Sequence, residues 1–186
     1  MSKFEVIGTP ILDLKIIRPR VFEDARGFFM ETYTQTDLAP LGVNQVFVQD
    51  NHSLSRQPGT LRGLHYQRPP FAQDKLVRVI CGRIWDVAVD IRRSSPTFRQ
   101  WFGVELSAEN KLQLLVPVGF AHGFLTIEPD TEVIYKVSAP YNADCDAGIR
   151  WDEPEVGIDW PLPVARPVLS AKDEMLPRLV DALVFD

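Results

Sequence analysis

The side chains best suited to move a proton at neutral pH are three histidines, His52, His65 and His122. His65 lies in the run Leu61-Arg62-Gly63-Leu64-His65-Tyr66-Gln67, with Arg62 three residues before it and Lys75 ten after it. A strand does not require those cations, so the stretch reads as a base with charged company. Tyr135 is in phase with Val133 and Val137, which points its phenol inward with apolar neighbours. There it could deliver a proton, or serve only as a core tyrosine with a satisfied hydroxyl. Asp173 stands at the start of a predicted tail helix, where the helix dipole favours an acid. Asp86 and Asp90 share the strand face opposite Trp85 and could line a lumen.

The task of positioning these groups falls to short strands. Trp85, Val87, Val89 and Ile91 point one way and Asp86, Ala88 and Asp90 the other, the clearest period of two in the chain. Cys81-Gly82 reads as the hairpin turn ahead of them. Further strands are predicted at residues 4–17, after the turn at 24–27, and over 43–50, 102–106, 112–116, 120–127 and 132–137. Residues 36–41 read as a helical turn ended by Gly42, and residues 51–59, with Pro58, as a loop. The tail is proline-rich from Pro154 to Pro167. Ser170 then predicts a helix cap, with helix to about Leu183. About ten strands with helix only at the end imply an all-β protein, a double-sheet jelly-roll barrel. It is expected to be one domain over residues 1–186, the tail from about 154 packing on it.

Composition narrows the partners. The net charge is −5 and the sequence pI about 5.2, so neither nucleic acid nor a membrane surface is the default partner. An anionic ligand would need a local cluster of cations, and the 14 Arg against 6 Lys suit bidentate grips on phosphate. Cys81 and Cys145 have no motif spacing and read as reduced, Cys81 as a small core filler. No stretch approaches a membrane span and the first residues lack a signal-like apolar run, so a cytoplasmic location is expected.

Pro117-Val118-Gly119-Phe120-Ala121-His122 resembles the second motif of metal-binding cupins, P-x-G-x-x-H. However, Gln67 occupies the place of a second ligand histidine after His65, and no three-histidine set is rebuilt elsewhere. An unliganded His65 therefore reads as a proton shuttle. Arg62 has the opposite parity to His65, so the strand must bulge, or begin after it, for both to face one ligand.

The ordered set of runs around these residues resembles the dTDP-4-dehydrorhamnose 3,5-epimerase family. They include Asp24-Ala25-Arg26-Gly27-Phe28-Phe29-Met30-Glu31, Gln49-Asp50-Asn51-His52-Ser53, Leu61 through Gln67, Asp86-Val87-Ala88-Val89-Asp90-Ile91-Arg92, Pro117 through Phe124, and Leu169-Ser170-Ala171-Lys172-Asp173. The resemblance implies a cupin-like jelly roll, usually a homodimer, with no metal or organic cofactor. It implies an isomerase that turns dTDP-4-dehydro-6-deoxy-D-glucose into dTDP-4-dehydro-L-rhamnose. In that chemistry a C4 ketone acidifies C3 and C5, a base takes a proton, a cation holds the enolate, and an acid reprotonates the other face. Carried over, His65 is the base, Asp173 its orienting partner, Tyr135 the acid and Lys75 the oxyanion holder. Arg26, Glu31, Gln49, Asp50, Asn51, Arg62, His122 and Lys172 would bind nucleotide, diphosphate and sugar, with Tyr141 and Asp146 nearby. Asp146 departs from the family's usual glutamate. Open alternatives are an epimerase of C3 or C5 alone, a metal-dependent cupin enzyme, and a nucleotide-sugar binding module without catalysis.

Overall fold

Alternating apolar residues commit most of the chain to extended backbone. The computed structural model describes residues 2–162 and 166–186, and thirteen strands lie among them. In order these are β1 (Phe4–Gly8), β2 (Lys15–Pro19), β3 (Val21–Asp24), β4 (Gly27–Met30), β5 (Gln49–Ser55), β6 (Leu61–Gln67) and β7 (Lys75–Cys81). They continue with β8 (Arg83–Asp90), β9 (Trp101–Ser107), β10 (Gln113–Val116), β11 (Phe120–Thr126), β12 (Thr131–Val137) and β13 (Asp146–Gly148). Helix is confined to single turns, α1 (Gln35–Leu38) and α2 (Ala171–Glu174), with 3-10 turns at Ala39–Leu41 and Leu179–Asp181. No helix among the described residues is long and apolar enough to cross a membrane.

Two antiparallel sheets face each other, one ordered β1-β2-β10-β7-β12-β5 and the other β13-β6-β11-β8-β9, while β3 and β4 form a separate hairpin. This is the double-sheet jelly roll expected from the strand count. Between the sheets lie Val77, Val79, Leu114, Val116 and Val133 from one side and Ile84, Ala88, Leu106, Phe120 and Phe124 from the other. Each sheet is also covered outside. Trp160, Leu179 and Ala182 of the tail cover Leu61, Tyr66, Val87, Val89 and Leu125, and Leu38 and Val43 cover Ile17, Leu76 and Leu115. Central strands are thus buried on both faces, β11 along its whole length. Burying one such Leu or Val contributes about 1.5–3 kcal/mol, so the layers hold the lumen walls rigidly.

The structure corrects several local expectations. The strand expected over residues 43–50 begins at Gln49 and runs to Ser55, through residues read as a loop. β5 is an edge strand whose inward positions are Gln49, Asn51 and Ser53, so no apolar period marks it. Val46 and Val48 are outside any strand and exposed. The tail helix starts where its cap predicts, the Ser170 hydroxyl accepting from the Asp173 backbone N–H at 3.1 Å, but it ends at Glu174 rather than near Leu183. Pro177, which cannot continue the helical ladder, follows three residues later. Cys81 is exposed beside the β7–β8 turn, where Gly82 takes a φ of 76°; the buried cysteine is Cys145.

Candidate active site

β6 and β11 pair so that His122 stands opposite His65, and Phe124 opposite Arg62. The β6 segment between these pairs therefore holds one residue more than the β11 segment, which is the bulge that the parity of Arg62 demands. Gly63 sits in it with a φ of 136°, and a Cβ there would lie 2.6 Å from the Gly123 Cα. Only glycine lets the two strands meet this closely. The bulge brings Arg62 to the same cavity as His65.

That cavity, about 390 Å³, is lined by Arg62, His65, His122 and Phe124 from one sheet and Ser53, Lys75 and Tyr135 from the other. The tail closes one side with Val168, Leu169, Ser170, Lys172 and Asp173. A second cavity of about 210 Å³ shares His65, Lys75, Tyr135 and Lys172, and extends to Gln49, Asn51, Tyr141 and Asp146.

His65 Nε2 lies 2.5 Å from Asp173 Oδ1. Burial pushes the Asp173 carboxyl up, but the bonds from His65 and Ser170 outweigh it and hold its pKa below the ordinary value. An ionised carboxylate only accepts, so the bond runs from His65 Nε2–H to Asp173. Lys75 is buried, its ammonium donating to the His65 carbonyl at 3.1 Å. Burial lowers its pKa to about 8, with Asp86 and Asp146 opposing and Lys172 adding to the effect. Burial also raises the Tyr135 pKa, against Arg62 and Lys172, so the phenol keeps its proton at neutral pH. His122 donates from Nε2 to Asp86 at 2.9 Å; burial lowers its pKa despite Asp86, so the ring is neutral. His65 and a protonated Tyr135 therefore stand on opposite sheets, with the Lys75 ammonium in the same cavity.

The sequence matches the family model for dTDP-4-dehydrorhamnose 3,5-epimerase over residues 8–181. The chain belongs to that family. A dTDP-4-dehydrorhamnose 3,5-epimerase of Sinorhizobium fredii is 51% identical over 92% of this chain and 87% of its own. The crystal structure of a Bacillus anthracis dTDP-4-dehydrorhamnose 3,5-epimerase, with TDP and PPi bound, superposes with a TM-score of 0.91 at 52% identity, covering 94% of this chain and 99% of that one. A Legionella pneumophila dTDP-6-deoxy-D-glucose-3,5-epimerase in complex with dTDP-4-keto-L-rhamnose gives a TM-score of 0.91 at 46% identity, covering 95% and 93%.

Within this epimerase family member, eleven of the residues singled out from sequence gather at the two cavities: His65, Lys75, Tyr135, Asp173, Arg62, His122, Lys172, Gln49, Asn51, Tyr141 and Asp146. Lys172 pairs with Asp146, whose carboxylate also accepts from the Tyr141 hydroxyl at 3.3 Å. Arg26, Glu31 and Asp50 lie outside both cavities. Arg26 is exposed in the β3–β4 turn and pairs with Asp24 at 2.5 Å. Glu31 pairs with Lys3 at 2.8 Å, and Asp50 points outward to Lys136 at 2.8 Å. Sequence reasoning missed Ser53, concealed in the supposed loop, and Phe124, which reads as plain core. Gln67, at the place of a metal ligand, instead donates to the carbonyls of Phe71 and Pro140. Among the described residues no three His, Cys, Asp or Glu side chains gather as metal donors.

Proposed function

We propose that this epimerase inverts C3 and C5 of dTDP-4-dehydro-6-deoxy-D-glucose to give dTDP-4-dehydro-L-rhamnose, a step in dTDP-L-rhamnose formation. The observation that carries the reading is the division of roles between sheets: the His65–Asp173 pair on one wall, Tyr135 on the other, Lys75 buried with both. His65 Nδ1 takes the proton from the carbon next to the C4 ketone. The C–H electrons move into the new C=C bond as the carbonyl electrons settle on O4, where the Lys75 ammonium holds the enolate. The Tyr135 hydroxyl then returns a proton to the opposite face and regains one from solvent. The same cycle at the second carbon completes the double inversion.

Arg62 and Lys172 serve the diphosphate in this reading, and Gln49, Asn51, Tyr141 and Asp146 the nucleotide end. The pairing of Lys172 with Asp146 leaves that lysine within reach of either cavity. A homodimer accounts for the remaining residues. The β3–β4 hairpin exposes Phe28 and Phe29 at 57% and 65%, beside Arg26 and Glu31. Packing that apolar edge on a second copy would bring Arg26, Glu31 and Asp50 to a substrate shared across the interface. The site of action in this reading is the cytoplasm.

Incubating the dTDP-sugar with the protein in D2O tests the reaction. Deuterium should enter at both C3 and C5 of the recovered sugar. Entry at C3 alone would make the protein a 3-epimerase, and no entry would end the epimerase reading.

A further inference from the structure

Asp86 has no part in the steps above, yet it is wholly buried against His122, which lines the site. It lies on β8, diagonal to His122 on β11, and His122 stands directly opposite His65 on β6. Three neighbouring strands of one sheet therefore carry His65, His122 and Asp86 in a row. Asp86 Oδ1 accepts from His122 Nε2 at 2.9 Å, while its Oδ2 is buried with no hydrogen-bond partner. Leaving such an oxygen bare costs about 1–3 kcal/mol, and more for a charged group. Packing alone gives no reason for an aspartate there. His122 does: it lines the cavity and makes its hydrogen bond, among the described residues, to this carboxylate.

We propose that Asp86 is a positioning residue of the epimerase: it locks His122 with Nδ1 as the acceptor for a sugar hydroxyl. An ionised carboxylate forces the proton of the neutral ring onto Nε2, so Nδ1 must offer a lone pair. A neutral ring that lines the cavity then accepts from the sugar without adding a second cation beside Lys75. The inference rests on the epimerase reading for the identity of the sugar.

Asp86→Asn keeps the shape and removes the charge. The variant should lose about 10- to 100-fold in kcat/KM, the loss of one charge-assisted hydrogen bond. A second measurement needs no variant of Asp86. In wild-type protein with 15N-labelled histidine, the ring signal missing from His122→Gln identifies His122. It should be the neutral Nε2–H tautomer at neutral pH, and an Nδ1–H or cationic ring overturns the lock. Wild-type protein inert towards the sugar would sink the epimerase reading instead, and the tautomer would still decide the lock.

Discussion

Asp173→Asn isolates the partner of the base. In the folded chain the Asp173 side chain is 4% exposed, and its carboxylate meets His65 Nε2 at 2.5 Å. When His65 takes a proton it becomes an imidazolium beside that carboxylate. Two unit charges about 4 Å apart at an effective dielectric of about 20 interact by about 4 kcal/mol. Losing that from the transition state slows turnover roughly 1000-fold. A second effect acts in the same direction: the amide can donate to Nε2, which moves the ring proton to Nδ1 and abolishes the base. The fold should survive, because the bond that anchors residue 173 to Ser170 uses the backbone N–H. The assay is NMR measurement of deuterium entry at C3 and C5 of the dTDP-sugar, with Tm measured in parallel. A variant that exchanges within about threefold of wild type at unchanged Tm would refute the argument, since an electrostatic partner of the base cannot be removed at so small a loss.

Tyr135→Phe should separate exchange from inversion: His65 can still remove a proton and return it to the same face, so deuterium enters while net epimerisation falls about 100- to 10000-fold. Equal loss of both would place the acid elsewhere. Activity should fall as pH rises through about 8, where the buried Lys75 loses its proton. Lys75→Gln should remove that limb and slow turnover about 100- to 1000-fold; an alkaline limb persisting in the variant would contradict the assignment. Asp90 is buried and bonded to Arg92, Ser95 and Thr97, and although burial opposes its ionisation, these bonds bring its pKa to about 2 from an ordinary 3.8. Its stabilisation is therefore complete above the unfolded value and lost as pH falls towards 2. Asp90→Asn should cost roughly 2–3 kcal/mol at neutral pH and almost nothing near pH 2, measured by denaturant unfolding.

Legibility followed apolar periodicity. β8, β9, β10 and β12 carry an inward–outward alternation that the lumen and the covering tail require, and residues 85–91 announce it plainly. β5 lacks it because its inward positions serve a polar cavity rather than the core, so the strand that carries Gln49, Asn51 and Ser53 passed for strand, then loop. The start of α2 was legible from Ser170, but its length depended on where the chain must turn back to pack Leu179 and Ala182 on the outer face. Within the site, parity placed Tyr135 and showed that Arg62 needs a bulge; the pairing of β6 with β11 supplied it. The bond between His65 and Asp173 joins positions 108 residues apart, and no local pattern encodes it. The resemblance supplied that pair, and the fold supplies its geometry.

The cavity holds two histidine–carboxylate pairs of the same composition, and burial divides their work. His65 is 29% exposed, whereas His122 is 7% exposed and its carboxylate not at all. A base that must shed a substrate-derived proton to water in each cycle needs a route out, and His65 has one. An imidazolium at His122 would be desolvated beside the Lys75 ammonium, and both effects oppose the charge. His122 is therefore held neutral, while His65 keeps access to solvent. The two carboxylates come from different layers: the first turn of α2 sets Asp173 against His65, while Asp86 is fixed in the middle of a strand covered on both faces. Solvent deuterium should thus reach the sugar through His65 and Tyr135, and His122→Gln should weaken binding and orientation while leaving exchange at the base intact.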